Sequence, residues 1–208
     1  MTWAGTVDAF DRAAAWFART VPTAEGRWDD HGLGEWSIRD LVGHTSRALI
    51  TVETYLSRPA TAATVGSPAE YVALASGADP ADIAQRGRES GAALGDDPAA
   101  AVAALAERVS GLVHAAAEGD LVTTLVGGMR LGDYLPTRTF ELTVHTCDLA
   151  VALGQTPDPP EAAASESIGL LAGLAVRTGQ AAPLLLAATG RRSLPDGFTL
   201  LSSGPGRP

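Results

Sequence analysis

Three segments of this chain carry apolar residues at three- and four-residue spacing, a fourth is apolar over much of its circumference around a narrow polar seam, and a Pro or Gly stands just past each. That period belongs to an α-helix with one buried face, not to a strand. In the first segment, about Thr2 to Thr20, Val7, Phe10, Ala14 and Phe17 share a face before Pro22 and Gly26 break the pattern. The second opens at Ser37, where Ser37 and Asp40 occupy the N-cap and N3 places of a capping box. Leu41, Ala48 and Tyr55 follow on one face, with Leu49, Val52 and Leu56 beside them, and Pro59 closes the segment. The third restarts at Asp96-Asp97-Pro98, with Val102, Leu105, Val109, Leu112 and Val113 as its stripe and Gly119 as its end. The fourth runs from Asp133, a capping residue type, to Gly154.

The remaining stretches are connections or weaker helices. Asp29 to Glu35 reads as a loop, and Ala60 to Pro68 as a small-residue connection. Residues 81–94 are helical in pattern but weakly amphipathic. Leu121 to Leu131 suits a short strand or an extended segment. After the linker TPDPP, a fifth helix is predicted over Glu161 to Thr178 and a short sixth over Pro183 to Thr189, with an irregular tail from Gly190. Ala dominates the 46% hydrophobic fraction and aromatics supply only 5%, which also favours helix. The expected fold is all-α: a four-helix bundle over residues 1–180, then short C-terminal helical structure and a tail over 181–208.

Charge narrows the function. The formal net charge is −9, and a surface this acidic repels nucleic-acid phosphates and anionic lipid. No apolar run is long enough to span a bilayer, and the N-terminus lacks the pattern of a signal peptide. A single cysteine, Cys147, cannot form an internal disulfide. These features predict a cytoplasmic protein, monomeric or homodimeric, whose partners are small molecules.

Titratable residues on two of the helices point to chemistry. His44 lies three residues after Leu41 and four before Ala48, on their inward face. Alone, it reads as a core histidine bonded to a backbone carbonyl. Glu141 and His145 are four residues apart, about 40° around a helix and about 6 Å along it. Alone, they read as part of a solvated polar face. Together, the narrow seam Tyr134, Arg138, Glu141, His145, Asp148 is flanked by Leu142, Val144, Leu149 and Val151. A seam of charge facing a bundle interior needs compensation. A divalent cation held by His44, Glu141 and His145 supplies it, and three protein ligands leave a coordination position open, as in catalytic zinc sites. Cys147 points about 200° away from His145 and reads as a small core residue. His31 reads as an exposed loop residue near the site, His114 as structural, and Gly127-Gly128 as a turn.

The stretch WSIRDLVGH (Trp36 to His44), with TRTFELTVHTCDLA (Thr137 to Ala150), resembles the mycothiol-dependent maleylpyruvate isomerase N-terminal family, one of the DinB-like metal-binding four-helix bundles. The resemblance covers roughly residues 3–180, and its more specific block is R-x-x-E-x-x-x-H-x-x-D. It implies His44, Glu141 and His145 as metal ligands, and mycothiol as thiol cosubstrate. The composition agrees: every basic residue is Arg and Asn is absent, as codon bias in a GC-rich, mycothiol-making actinobacterium would give. The characterised isomerases carry a second domain after the bundle, whereas 28 residues follow position 180 here. Thiol-assisted chemistry at a metal is therefore the firmer expectation, and maleylpyruvate isomerisation the weaker.

The predicted activity is isomerisation of, or S-transfer to, a small electrophile, with Zn²⁺ as the expected ion. A thiol at the open position would lose its proton near neutral pH. Arg138 or a loop arginine would hold a substrate carboxylate, and Asp148 would orient a ligand or bond to Arg138. Two other readings use the same three ligands: a non-catalytic metal-binding sensor or interaction module, and a metal-dependent hydrolase that activates water.

Overall fold

The computed structural model describes residues 2–77 and 79–201. In chain order the elements are α1 (Trp3–Thr20), a 3₁₀ turn (Val21–Ala24), β1 (His31–Leu33), β2 (Trp36–Ser37), α2 (Ile38–Leu56), α3 (Pro68–Ala75), α4 (Pro80–Ala93), α5 (Pro98–Ala115), β3 (Leu121–Thr124), β4 (Gly127–Arg130), α6 (Leu131–Ala152), α7 (Glu161–Arg177) and α8 (Ala181–Ala188). The structure is an all-α, DinB-like bundle with two small antiparallel strand pairs.

The three striped segments and the seamed fourth are the four bundle helices α1, α2, α5 and α6. Each of α1 and α2 packs against both α5 and α6. Their facing side chains include Phe10, Phe17, Leu41, Leu49, Val102, Val109, Leu135, Leu142 and Leu149, all fully buried. Each large side chain buried this way contributes about 1.5–3 kcal/mol, so the apolar stripes hold the bundle together. Leu112, expected in the stripe of α5, is 38% exposed. It lies at the edge of the stripe that α5 packs against α1, α2 and the 3₁₀ turn.

The start of α2 is set locally. Ser37 Oγ accepts from Asp40 N at 3.2 Å and the Asp40 carboxylate accepts from Ser37 N at 3.1 Å, which closes the predicted capping box. The segment before it is not a plain loop. His31 pairs with Ser37 and Leu33 with Trp36 in a tight hairpin that turns at Gly34, φ 59°. Strands of two and three residues are too short to show alternation in sequence. A second hairpin, β3–β4, fills Leu121 to Arg130 and leads directly into α6. Helix α6 therefore begins at Leu131 with Arg130 as its N-cap, and Asp133 sits in its first turn instead of capping it.

Helix α3 was not expected; Ser67 caps it by accepting from Glu70 N. The small-residue segment before it is anchored to the second hairpin, where Thr64 N donates to Gly128 O at 2.8 Å. Helix α4 lies along α2 so closely that a Cβ on Gly43 would collide with the Gly91 backbone. Helix α7 packs on α1, α3 and α6, and α8 on α7 with no residue buried. The expected irregular tail is irregular over residues 190–201, yet Leu200 is buried in the core; residues 202–208 lie outside the described residues. Among the described residues, no helix is long and apolar enough to cross a membrane.

Candidate metal centre

Helices α2 and α6 face each other and bring His44 against His145, their rings edge to face with centroids 4.7 Å apart. Glu141 is one turn before His145 on α6. One donor atom from each of His44, Glu141 and His145 lies within 4.8 Å of the others. The sequence placed these three together, and the fold does so.

Each ligand candidate has a distinct setting. His145 Nδ1–H donates to Asp148 Oδ2 at 3.0 Å, and its Nε2 lies 3.3 Å from Glu141 Oε2. The ring orientation is thus fixed from behind by Asp148, leaving Nε2 toward the cluster. His44 stacks on Trp36 at 4.4 Å between centroids, and Trp36 Nε1 donates to Ala84 O on α4. Trp36 is the wall of the site that residue-type reasoning missed; its tryptophan at the head of the helix-two block was the signal. His44 Nδ1 is buried with no hydrogen-bond partner among the described residues. The carbonyl bond expected of a core histidine is absent at that nitrogen.

Burial and charge work against each other here. Burial, helped by the neighbouring His145 charge, lowers the His44 pKa to about 4, so its imidazole is neutral near pH 7. Burial would lower His145 too, but its hydrogen bonds to Asp148 and Glu141 outweigh that and hold it up at about 9. Burial would raise Glu141, but the His145 bond and the Arg138 charge hold it down at about 2. In the metal-free chain the cluster is therefore a neutral imidazole facing an imidazolium–carboxylate pair. Two imidazoles, one carboxylate and a buried unpartnered nitrogen suit a divalent cation, which would replace the His145 proton.

Arg138 lies one turn before Glu141 and is buried. Its guanidinium sits over the rings of Tyr71 and Tyr134, 5.3 and 5.0 Å from their centroids, and its Nε donates to Thr137 Oγ1 at 3.0 Å. Among the described residues it makes no ion pair. The expected bond between Arg138 and Asp148 is not formed, because the two lie ten residues apart on α6, on opposite sides of the ligand pair, and Asp148 is engaged by His145.

The other candidates fall away from the site. Cys147 is half-buried and not a core residue, and burial raises its thiol pKa. Val151, expected to flank the seam, is 64% exposed beyond the bundle contact. His31 Nε2 bonds to Gly34 O within its own hairpin. His114 pairs with Asp11 at 2.7 Å on the surface. Gly127 and Gly128, read from the sequence as a turn, are instead the first residues of β4, paired with Thr124 and Thr123; the turn is at Leu125 and Val126.

Comparisons with curated proteins and with solved structures each gave no significant match. Residues 7–150 match the family described as the Mycothiol maleylpyruvate isomerase N-terminal domain. The match spans the first strand pair, all four bundle helices and every residue of the candidate site. By that match the chain belongs to the mycothiol maleylpyruvate isomerase N-terminal domain family.

Proposed function

We propose that this chain is a metal-dependent enzyme that uses a low-molecular-weight thiol, mycothiol, to isomerise a small electrophile or to join the whole thiol to it through sulfur (S-transfer). The convergence of His44, Glu141 and His145, with Asp148 fixing His145 from behind, carries the reading. The family match supplies the thiol. When bound, a divalent cation at these ligands, Zn²⁺ in our reading, supplies Lewis acidity that favours thiolate at neutral pH.

The residues of the chain do the rest. His44, Glu141 and His145 hold the ion with one carboxylate and two imidazoles. Asp148 keeps the His145 tautomer with Nε2 toward the centre. Trp36 closes the His44 side to water. Arg138, held between two tyrosines with no carboxylate of its own, orients an acidic group of the substrate. Thiolate attack on an activated double bond, rotation and thiolate departure would give isomerisation; retention of the thiol would give S-transfer.

The test is turnover of an electrophile such as monobromobimane or a maleyl compound by metal-loaded protein, with mycothiol, with glutathione and with no thiol. The expected result is activity that needs both metal and thiol and is greatest with mycothiol. Equal activity without thiol would point to water activation and contradict this reading. Metal binding with no thiol affinity would point to a non-catalytic module.

A further inference from the structure

Helix α7 is apolar on two opposite sides. Leu170, Leu174 and Ala175 face the bundle and are buried, whereas Ile168 and Val176 are 66% and 72% exposed. Ile168, Ala172 and Val176 recur every four residues, so they form one outward stripe. A surface helix carries polar groups on that side, and a helix apolar all round belongs in an interior. Helix α8, which rests on α7, extends the pattern. It consists of Ala, Pro and Leu alone, none of its residues is buried, and Leu185 is 64% exposed. Both helices lie beyond the matched residues 7–150.

Gly169 is a second, independent sign. It sits inside α7 beside Ile168, where glycine costs about 0.5–1 kcal/mol relative to alanine. A Cβ there would meet nothing within 4 Å, so no described neighbour in this chain requires its absence. The flat surface it leaves lets another backbone approach closely.

The ends of the stripe select the occupant. Glu161 opens α7 and Arg177 closes it, each eight residues from Gly169. Two copies of α7 packed antiparallel about Gly169 set each Glu161 beside the partner's Arg177, with the helix dipoles opposed. Arg177 can reach across, since its side chain is 49% exposed and its contact with Glu70 spans 3.7 Å. The outward apolar surface of α7 and α8 is roughly 600 Å² per copy, so a pair buries about 1,200 Å², which meets the lower bound for a specific interface. A lipid surface fits worse, because helices that lie on membranes carry Lys and Arg along the polar face and this chain has a net charge of −9.

We propose that the α7–α8 face is the interface of a two-fold homodimer in which α7 of one copy packs antiparallel on α7 of the other. Helix α7 packs on α1, α3 and α6, whereas Trp36 and His44 lie on the side covered by α4. The pairing therefore leaves the Trp36 side of each ligand cluster uncovered.

Sedimentation velocity of the tag-free full chain over a micromolar concentration series is the test. The wild type should sediment at twice the 21.3 kDa mass of one chain. Ile168→Glu and Val176→Glu, both at exposed positions, should each weaken the pairing about a hundredfold or more, with helical circular dichroism unchanged. Leu125→Glu, 70% exposed in the turn of the second hairpin, should change nothing. Glu161→Arg should weaken the pairing about tenfold, and adding Arg177→Glu to it should restore the pairing, as the antiparallel register requires. A wild type that stays monomeric throughout the series, or a dimer indifferent to Ile168→Glu and Val176→Glu, would overturn the assignment. Failure of the charge swap to restore pairing would overturn the antiparallel register. A monomer that binds anionic phospholipid vesicles through Ile168 and Val176 would overturn the choice of a second copy.

Discussion

Two of the histidine–carboxylate pairs among the described residues have bond lengths that hardly differ. His145 bonds to Asp148 at 3.0 Å, and His114 to Asp11 at 2.7 Å. Their surroundings differ greatly. The His145 side chain is 18% exposed and that of His114 61%. His114 borders a shallow surface pocket with Trp3, Val7 and Asp8, and no third ligand approaches it among the described residues. His145 has Glu141 on its other nitrogen and His44 across the helix interface. A hydrogen bond in water is screened and contributes roughly 0–1 kcal/mol; the same bond in a bundle interior fixes a tautomer and shifts a pKa. Burial and a second helix, more than the pair itself, make a site.

The sharpest way to break this comparison is to neutralise the carboxylate behind each histidine. Asp148→Asn should weaken Zn²⁺ affinity about 10–100-fold, as loss of the partner that orients a metal-binding histidine does. Asp11→Asn should leave it unchanged. Competition with a chromophoric chelator measures both, and equal effects would mean that burial is not the deciding difference.

A second test uses pH. The folded His145 pKa of about 9 stands above the ordinary 6.5, so its proton favours the folded metal-free chain. That contribution is full below about pH 6.5 and is lost as pH rises through 9. It is on the order of 3 kcal/mol at most, from the size of the shift. Thermal melts of metal-free protein should show stability falling across this window. His145→Gln should flatten the fall. For Glu141 the sign is opposite: its lowered pKa, about 2, gives stability present above pH 4.5 and lost as pH falls through 2.

Much of this was legible before the fold was known. The stripes of α1, α2 and α5 could be read because each helix turns its apolar side to the bundle, which imposes the three-and-four spacing, and α6 could be read from the narrow polar seam in its otherwise apolar circumference. The Ser37–Asp40 cap could be read because it is local. His44, Glu141 and His145 were legible because an i,i+4 pair on one helix and an inward histidine on another require few geometric assumptions. The hairpin that seats Trp36 was not, because strands of three and two residues are too short to show alternation; the start of α6 at Leu131 was not, because the second hairpin runs straight into it; and the short helix α3 was not, because it packs on α6 and α7, distant in sequence.

The close packing of α4 on α2 gives a smaller, structural test. Gly43→Ala should push α4 from α2 and cost about 1–3 kcal/mol, because the added methyl meets the Gly91 backbone. Ser37→Ala should cost about 1 kcal/mol through loss of the cap. Urea denaturation measures both, and a neutral Gly43→Ala would show that α4 does not hold the His44 side of the site in place.

The most direct test of the central claim is metal stoichiometry by elemental analysis of protein purified without an affinity tag and reloaded with Zn²⁺. The account predicts about one ion per chain in the wild type and in His114→Ala. It predicts well under one in each of His44→Ala, Glu141→Ala and His145→Ala, with helical circular dichroism retained. One tightly held ion persisting in all three folded ligand variants would contradict it.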